Sequence, residues 1–316
     1  MQTNPIERLR LLADIDRYLN LLKQMGSAPS IGSQTGASVN LPNVFFVDSG
    51  NGASTNSGRS PDLALTTLDA AVGKCTASRG DIIIVLPGHA ETISTAGAIA
   101  LDVAGISVIG IGQGADRPTI TLDAVAASVT VGAASIHVEN LLFLSTAACT
   151  IVLDVNDDHF TAVDLEFRRS SGSAPVVWID ITGGAANACD GARIIGCKLS
   201  SGTTTGADEF IELGEVADRV EIRKCVVWGD FVNACIHNPT GKILTNLVIA
   251  DCELTNLQTG DHSIELISAC TGNLIRNLYH NDMTQATGSD PGSCFSFECY
   301  HDDVIDTSAI VSPAVT

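Results

Sequence analysis

Polar and apolar positions alternate along this chain in short bursts that recur about every 28 residues. One arm of the repeat reads apolar–acid–apolar: Leu101-Asp102-Val103, Leu153-Asp154-Val155, Ile179-Asp180-Ile181, Ile211-Glu212-Leu213, Ile264-Glu265-Leu266 and Phe297-Glu298-Cys299. Val129-Thr130-Val131 and Ile236-His237 keep the frame without the acid. A second arm follows 9 to 17 residues later. It reads Ile194-x-x-Cys197-x-Leu199, Ile222-x-x-Cys225-x-Val227 and Ile249-x-x-Cys252-x-Leu254, with weaker copies at Val138-x-x-Leu141-x-Phe143 and Ala162-x-x-Leu165-x-Phe167. Alternation of period two marks strands with one buried face. Two short strands per repeat, stacked many times, mark a β-solenoid, and the spacing predicts eight or nine rungs over residues 93–303.

Outside the repeats, residues 1–25 predict a helical arm. Asn4 can cap it, Pro5 suits its first turn and Gly26 ends it. Ile6, Leu9, Leu12, Ile15, Leu19 and Leu22 form its apolar seam and its expected interface. The seam could join copies of the chain as a small coiled coil, but two heptads are too few to be stable alone, so docking on something larger, its own body or a partner's surface, is the favoured expectation. Residues 26–43 are a Gly/Ser-rich tether. Residues 304–316 have no repeat partner and are expected to cap the last rung or pair with a neighbouring chain.

Between tether and rungs, residues 44–92 open with Val44-Phe45-Phe46-Val47-Asp48 and a Gly/Asn/Ser loop. A predicted helix over 61–76 places Leu65, Leu68, Ala71 and Val72 on one side. Gly80-Asp81-Ile82-Ile83-Ile84-Val85-Leu86-Pro87-Gly88-His89-Ala90-Glu91 follows. This opening resembles the capped start of right-handed parallel β-helix proteins, and within that class the virion proteins of tailed bacteriophages, tailspikes and capsid decoration proteins. A cap there has a physical purpose, because a solenoid end exposes unpaired strand edges. The resemblance implies a right-handed parallel β-helix, all-β apart from the N-terminal arm, associating as a homotrimer. It implies a structural role as a capsid decoration (cement) protein, synthesised in the host cytoplasm and placed on the virion surface. The partner would be the major capsid protein, gripped by the arm. The alternative within the same class is a short tailspike or adhesin that binds or cleaves bacterial surface polysaccharide.

Composition narrows the chemistry. Of 316 residues 45% are hydrophobic but only 4% aromatic, which suits a narrow cylinder filled with aliphatic side chains. The net charge of −19 disfavours binding to a phosphate backbone, so any large partner is expected to be neutral or basic. No apolar stretch reaches the length of a membrane span, and Glu7, Arg8, Arg10, Asp14 and Asp16 interrupt the pattern of a secretory leader. The 10 cysteines include no CxxC pair. Cys197, Cys225 and Cys252 hold equivalent inward places, as free buried thiols would.

The candidate site is the acid of the first arm. Strand alternation turns Asp102, Asp154, Asp180, Glu212, Glu265 and Glu298 outward as one column with His237 among them, at rungs about 4.8 Å apart. At such a distance like charges repel by about 1 kcal/mol even in water. The column therefore needs solvent and salt, basic side chains of a neighbouring subunit (Arg168, Arg169, Arg193, Arg223 and Lys224 are available), a cation, or a glycan. Trp178 has the parity of Asp180 and is expected beside it on the surface, in a subunit interface or under a sugar ring. Asp154, Trp178, Asp180, Glu212, His237 and Glu265 are thus the expected binding residues. No cofactor, metal ligand set or catalytic residue is assigned. Asp157-Asp158-His159, His280-Asn281-Asp282 and His301-Asp302-Asp303 are read as turns.

Overall fold

The computed structural model describes residues 42–170, 174–183, 189–202, 207–258, 260–281, 289–303 and 309–311. The predicted arm with Ile6, Leu9, Leu12, Ile15, Leu19 and Leu22, and nearly all of the tether, lie outside the described residues. What is described is an all-β parallel solenoid of about seven turns, a rung or two fewer than the arm spacing predicts. Three long sheets run its length, with ten, eight and ten strands; we call them faces A, C and B. Every pairing among their strands is parallel except the last on face B, where Ala309–Val311 runs antiparallel to Cys299–Asp303. That strand fulfils part of the capping role expected of the tail.

Each turn has three strands, not two. One passes from Ile151–Val155 on face C to Thr161–Val163 on face A and Glu166–Arg169 on face B. The second arm of the repeat is thus a pair of strands around a corner: Ile194 lies on face A, Leu199 on face B and Cys197 between them. What bends the chain is the residue before the cysteine position. Asn140, Asp164, Gly196, Lys224, Asp251, Arg276 and Glu298 all have φ between 50° and 68°. That left-handed conformation is tolerated by Gly, Asn and Asp and is costly for Lys, Arg and Glu. The repeated corner explains why those costs are accepted: each one turns a whole rung into register.

Register then builds the core. On face A, Val138, Ala162, Ile194, Ile222, Ile249 and Leu274 stack inward. On face B, Phe143, Phe167, Leu199, Val227, Leu254 and Tyr279 do so. All are buried. Burying each large apolar side chain contributes about 1.5 to 3 kcal/mol. Cys197, Cys225 and Cys252 are buried free thiols in the corner column, as expected of small hydrophobes.

The N-terminal end is closed. Val44–Val47 pairs with Ile82–Val85, and Leu65 bridges to Val47 as one more strand residue. That bridge splits the helix predicted over 61–76: Pro61–Leu63 forms a 3₁₀ turn, and only Leu68–Val72 (α1) is α-helical. Leu65, Leu68, Ala71 and Val72 nonetheless all face the core. Thr67 Oγ1 caps α1 by accepting from Ala70 N at 3.3 Å, and Glu91 Oε2 accepts from Leu68 N at 2.9 Å. The wholly buried Asp81 accepts from Asn43 N at 2.7 Å, Thr76 N at 2.8 Å and the Arg79 guanidinium at 2.6 and 2.7 Å. Burial alone would raise its pKa; the Arg79 and backbone hydrogen bonds outweigh that and hold it below the usual carboxylate range. His89 Nδ1 accepts from Ser49 N at 3.0 Å, which puts its proton on Nε2, facing Glu91 at 3.2 Å. The Gly-Asp…His-x-Glu stretch is therefore a structural clasp.

Candidate functional site: the acidic column of face C

Face C orders its outward positions as Ala100, Thr130, Asp154, Asp180, Glu212, His237, Glu265 and Asp290. The five titratable residues predicted from Asp154 to Glu265 are thus brought together in one ladder. Two predicted members are not. Asp102 lies beyond the strand Ile99–Leu101, and Ala100 takes the column position in its rung. Glu298 sits at a corner between faces A and B with φ 51°, so Phe297-Glu298-Cys299 is a bend and not a face C strand. Asp290 fills the last place instead.

Trp178 is also corrected. It is fully buried, with its ring edge-on to Phe167 at 5.9 Å between centroids. Parity fails because the ladder pairs residues 177, 179, 180 and 181 with their neighbours and skips 178. The equivalent positions Val152, Phe210, Cys235 and Ser263 are skipped and buried as well. Two consecutive side chains therefore enter the core in each of these rungs. No indole platform stands beside the carboxylates for a sugar or a subunit.

The electrostatics are uneven. Asp180 is 5% exposed and its Oδ1 has no hydrogen-bond partner among the described residues. Burial, then the charges of Glu212, Asp154 and Glu209, against a hydrogen bond with Thr182, raise its pKa to about 7. Burial also raises Asp154, despite hydrogen bonds with Asn156 and Thr130, and Glu212, where Glu209 adds to it. Sequence reasoning missed Glu209 and Asp208. Glu209 is 3% exposed and accepts from Asn233 Nδ2 at 3.0 Å, with His237 Nδ1 at 3.3 Å. Burial works against the His237 imidazolium, but Glu209, Glu265 and Glu212 outweigh it and raise its pKa. The legible signal was the doublet Asp208-Glu209 inside a strand, without a base nearby in sequence.

Among the described residues no Lys or Arg pairs with Asp154, Asp180, Asp208, Glu209, Glu212 or Glu265. The arginines proposed to compensate the column are largely engaged elsewhere: Arg168 with Glu166, and Arg193 and Arg223 with Glu221. No three His, Cys, Asp or Glu groups among the described residues converge as a metal site.

The remaining triplets are structural. Asp157-Asp158-His159 is a turn in which Asp158 Oδ1 accepts from Asp190 N at 2.9 Å, and Asp190 Oδ1 from Asp218 N at 2.7 Å. The other two are strand residues, not turns. Asn281 Nδ2 donates to Ser263 Oγ at 3.1 Å, and His301 Nε2 lies 2.5 Å from Asn281 Oδ1 inside the solenoid. Asp282 lies outside the described residues. A polar recess of about 430 Å³, lined by Gln113, Arg117, Glu139 and Lys198, opens at the corner of faces A and B, away from the column. Compared with known proteins, the chain matches no family model, no curated protein and no solved structure.

Proposed function

We propose that this chain is a structural virion protein: a homotrimeric decoration protein of a phage capsid, with residues 1–25 as its anchor to the major capsid protein. The observation that carries the reading is a lateral apolar face at the C-terminal rungs. Phe295 is 77% exposed, Phe297 61%, Tyr300 48% and Val226 41%. Register places them in outward columns on both sides of one corner, with Val248, Ile275 and Leu278 in the same columns and Asn273 and Glu253 as the polar members among them. Toward the N-terminal end the same columns carry Glu166, Arg193 and Lys198, and the rung of Val226 itself carries Glu221 and Arg223. A chain of net charge −19 repels its own copies over most of its surface. Association then falls to the face where charge gives way to large apolar side chains.

The test is the mass in solution, and the binding to capsids stripped of this protein, of the full chain and of a chain lacking residues 1–42. Both as trimers, with only the full chain binding, is the expected result. A monomeric full chain removes the trimer. Loss of capsid binding together with adhesion to or degradation of host polysaccharide replaces the reading with the tailspike one.

A further inference from the structure

Several acidic residues on the two ten-stranded faces and at the corner between them have arginine partners within the chain. Glu166 is held between Arg117 and Arg168, Glu221 between Arg193 and Arg223, and Asp251 by Arg276. Face C lacks this. Asp154, Asp180, Glu212 and Glu265 stack in register, with Asp208 and Glu209 beside them, and among the described residues no Lys or Arg pairs with the column, whose basic groups are the histidines His237 and, on the strand of Glu265, His262. A second, independent feature points to a ligand. Asp180 is more than nine-tenths buried between Asp154 and Glu212, yet among the described residues its Oδ1 has no partner. A buried carboxyl left without a partner is costly, more so when charged, and positive charge brought beside it offsets that cost.

We propose that the outer surface of face C is a docking surface for a basic protein segment, whose lysine or arginine side chains lie along Asp154, Glu212 and Glu265 and bring positive charge against the buried Asp180 between them. The column offers carboxylates at the rung spacing of about 4.8 Å, within reach of the long, flexible lysine and arginine side chains of a segment laid along the solenoid axis. Charge complementarity chooses the occupant: no apolar platform is present, since Trp178 is buried, and no three groups converge as a metal cage among the described residues.

The arrangement has a signature that plain attraction to a negative protein lacks. The groups that face Asp180 are Asp154 on one side, Glu212 and Glu209 on the other, and the Thr182 hydroxyl. His237 lies one rung further. A docked cation favours the ionised carboxyl, so Asp180 gives up its proton on binding, and His237 beside Glu209 and Glu265 does likewise. Affinity therefore rises with pH through the neutral range.

The probe is a fluorescent oligo-arginine peptide titrated into the full-length chain at low salt, by anisotropy and by calorimetry in two buffers of different ionisation enthalpy. The triple variant D154N/E212Q/E265Q is expected to weaken binding about tenfold or more, about 1.4 kcal/mol. A charge-matched control at exposed acids elsewhere, D62N/D116N/E253Q, is expected to weaken it by less than about twofold. Wild type releases protons on binding at neutral pH, and D180N releases measurably fewer. Equal losses in the two triple variants would reduce the effect to net charge and overturn the proposal, as would proton release unchanged by D180N. Should the triple variant fail to fold, the D180N calorimetry decides alone. This outcome does not depend on the capsid assay, so the two proposals can fail separately.

Discussion

The two ends of the solenoid face the same difficulty and resolve it differently. At the N-terminal end the open edge is covered by the chain itself: Leu65 adds a strand residue, α1 buries Leu68, Ala71 and Val72, and Asp81 and Glu91 tie the cap by hydrogen bonds. At the C-terminal end only face B is closed, by Ala309–Val311. Among the described residues, Asp290–Pro291 and Phe295–Phe297 are the last strands of faces C and A, without a further strand beyond them. Beside that edge, large apolar side chains point outward. A closed end is a matter of folding. An open, apolar end concerns assembly, because unpaired edges and apolar faces are stabilised by another chain.

The comparison can be broken from the closed end first. Asp81→Ala removes the acceptor of two backbone N–H groups and of the Arg79 guanidinium. A loss of about 3 to 5 kcal/mol is expected, read as a lower urea midpoint; a loss below about 1 kcal/mol would mean the cap is ornamental. Between the ends, Asp180→Asn tests the column. Its carboxyl has a pKa of about 7 in the fold against 3.8 ordinarily. The native state therefore holds more protons than the unfolded chain from about pH 4 to about pH 7, and stability falls across that window and levels off above it. Asp180→Asn should lack that fall, with a difference on the order of 3 kcal/mol between pH 4 and pH 8. Urea curves at both pH values check it, and parallel pH profiles of variant and wild type would sink it.

A smaller effect is expected at the corner. Gly196 has φ 68°, and a Cβ there would lie 2.4 Å from Asp164 Oδ1. Gly196→Ala should cost about 1 kcal/mol, seen as a lowered thermal midpoint. The smallest change in stability belongs to the open end. Phe295→Ser with Phe297→Ser should alter the monomer by about 0.5 kcal/mol or less while abolishing association in sedimentation. A large stability loss with unchanged mass would make these phenylalanines part of a core, and the two ends would no longer differ.

Much of this was legible beforehand because a solenoid repeats its own evidence. Leu153, Ile179, Ile211 and Ile264 recur in frame, and in-register stacking turns that recurrence into columns without knowledge of the rest. The acidic residues from Asp154 to Glu265 followed from the same frame. Failures came where the backbone departs from a plain strand. Glu298 looks like one more acid in an apolar frame, and only its φ of 51° shows a bend. Trp178 carries outward parity, and only the skipped ladder position sends it inward beside Ile179. Glu209 was overlooked for the same reason, since it lies just ahead of that irregular position.

By itself, then, the sequence determined the architecture: a parallel solenoid, its inward columns, its free buried cysteines and its capped N-terminal end. These depend on periodicity and on local chemistry, both written along the chain. The tertiary structure alone decided that each turn has three faces, that Trp178 belongs to the core, that arginines pair with Glu166 on face B and Glu221 on face A but, among the described residues, with no acid of the face C column, and that apolar residues gather at one end. Those depend on where left-handed corners turn the backbone and on which residues of successive rungs are then brought into register. A corner occupied by Lys, Arg or Glu leaves no mark that its composition reveals.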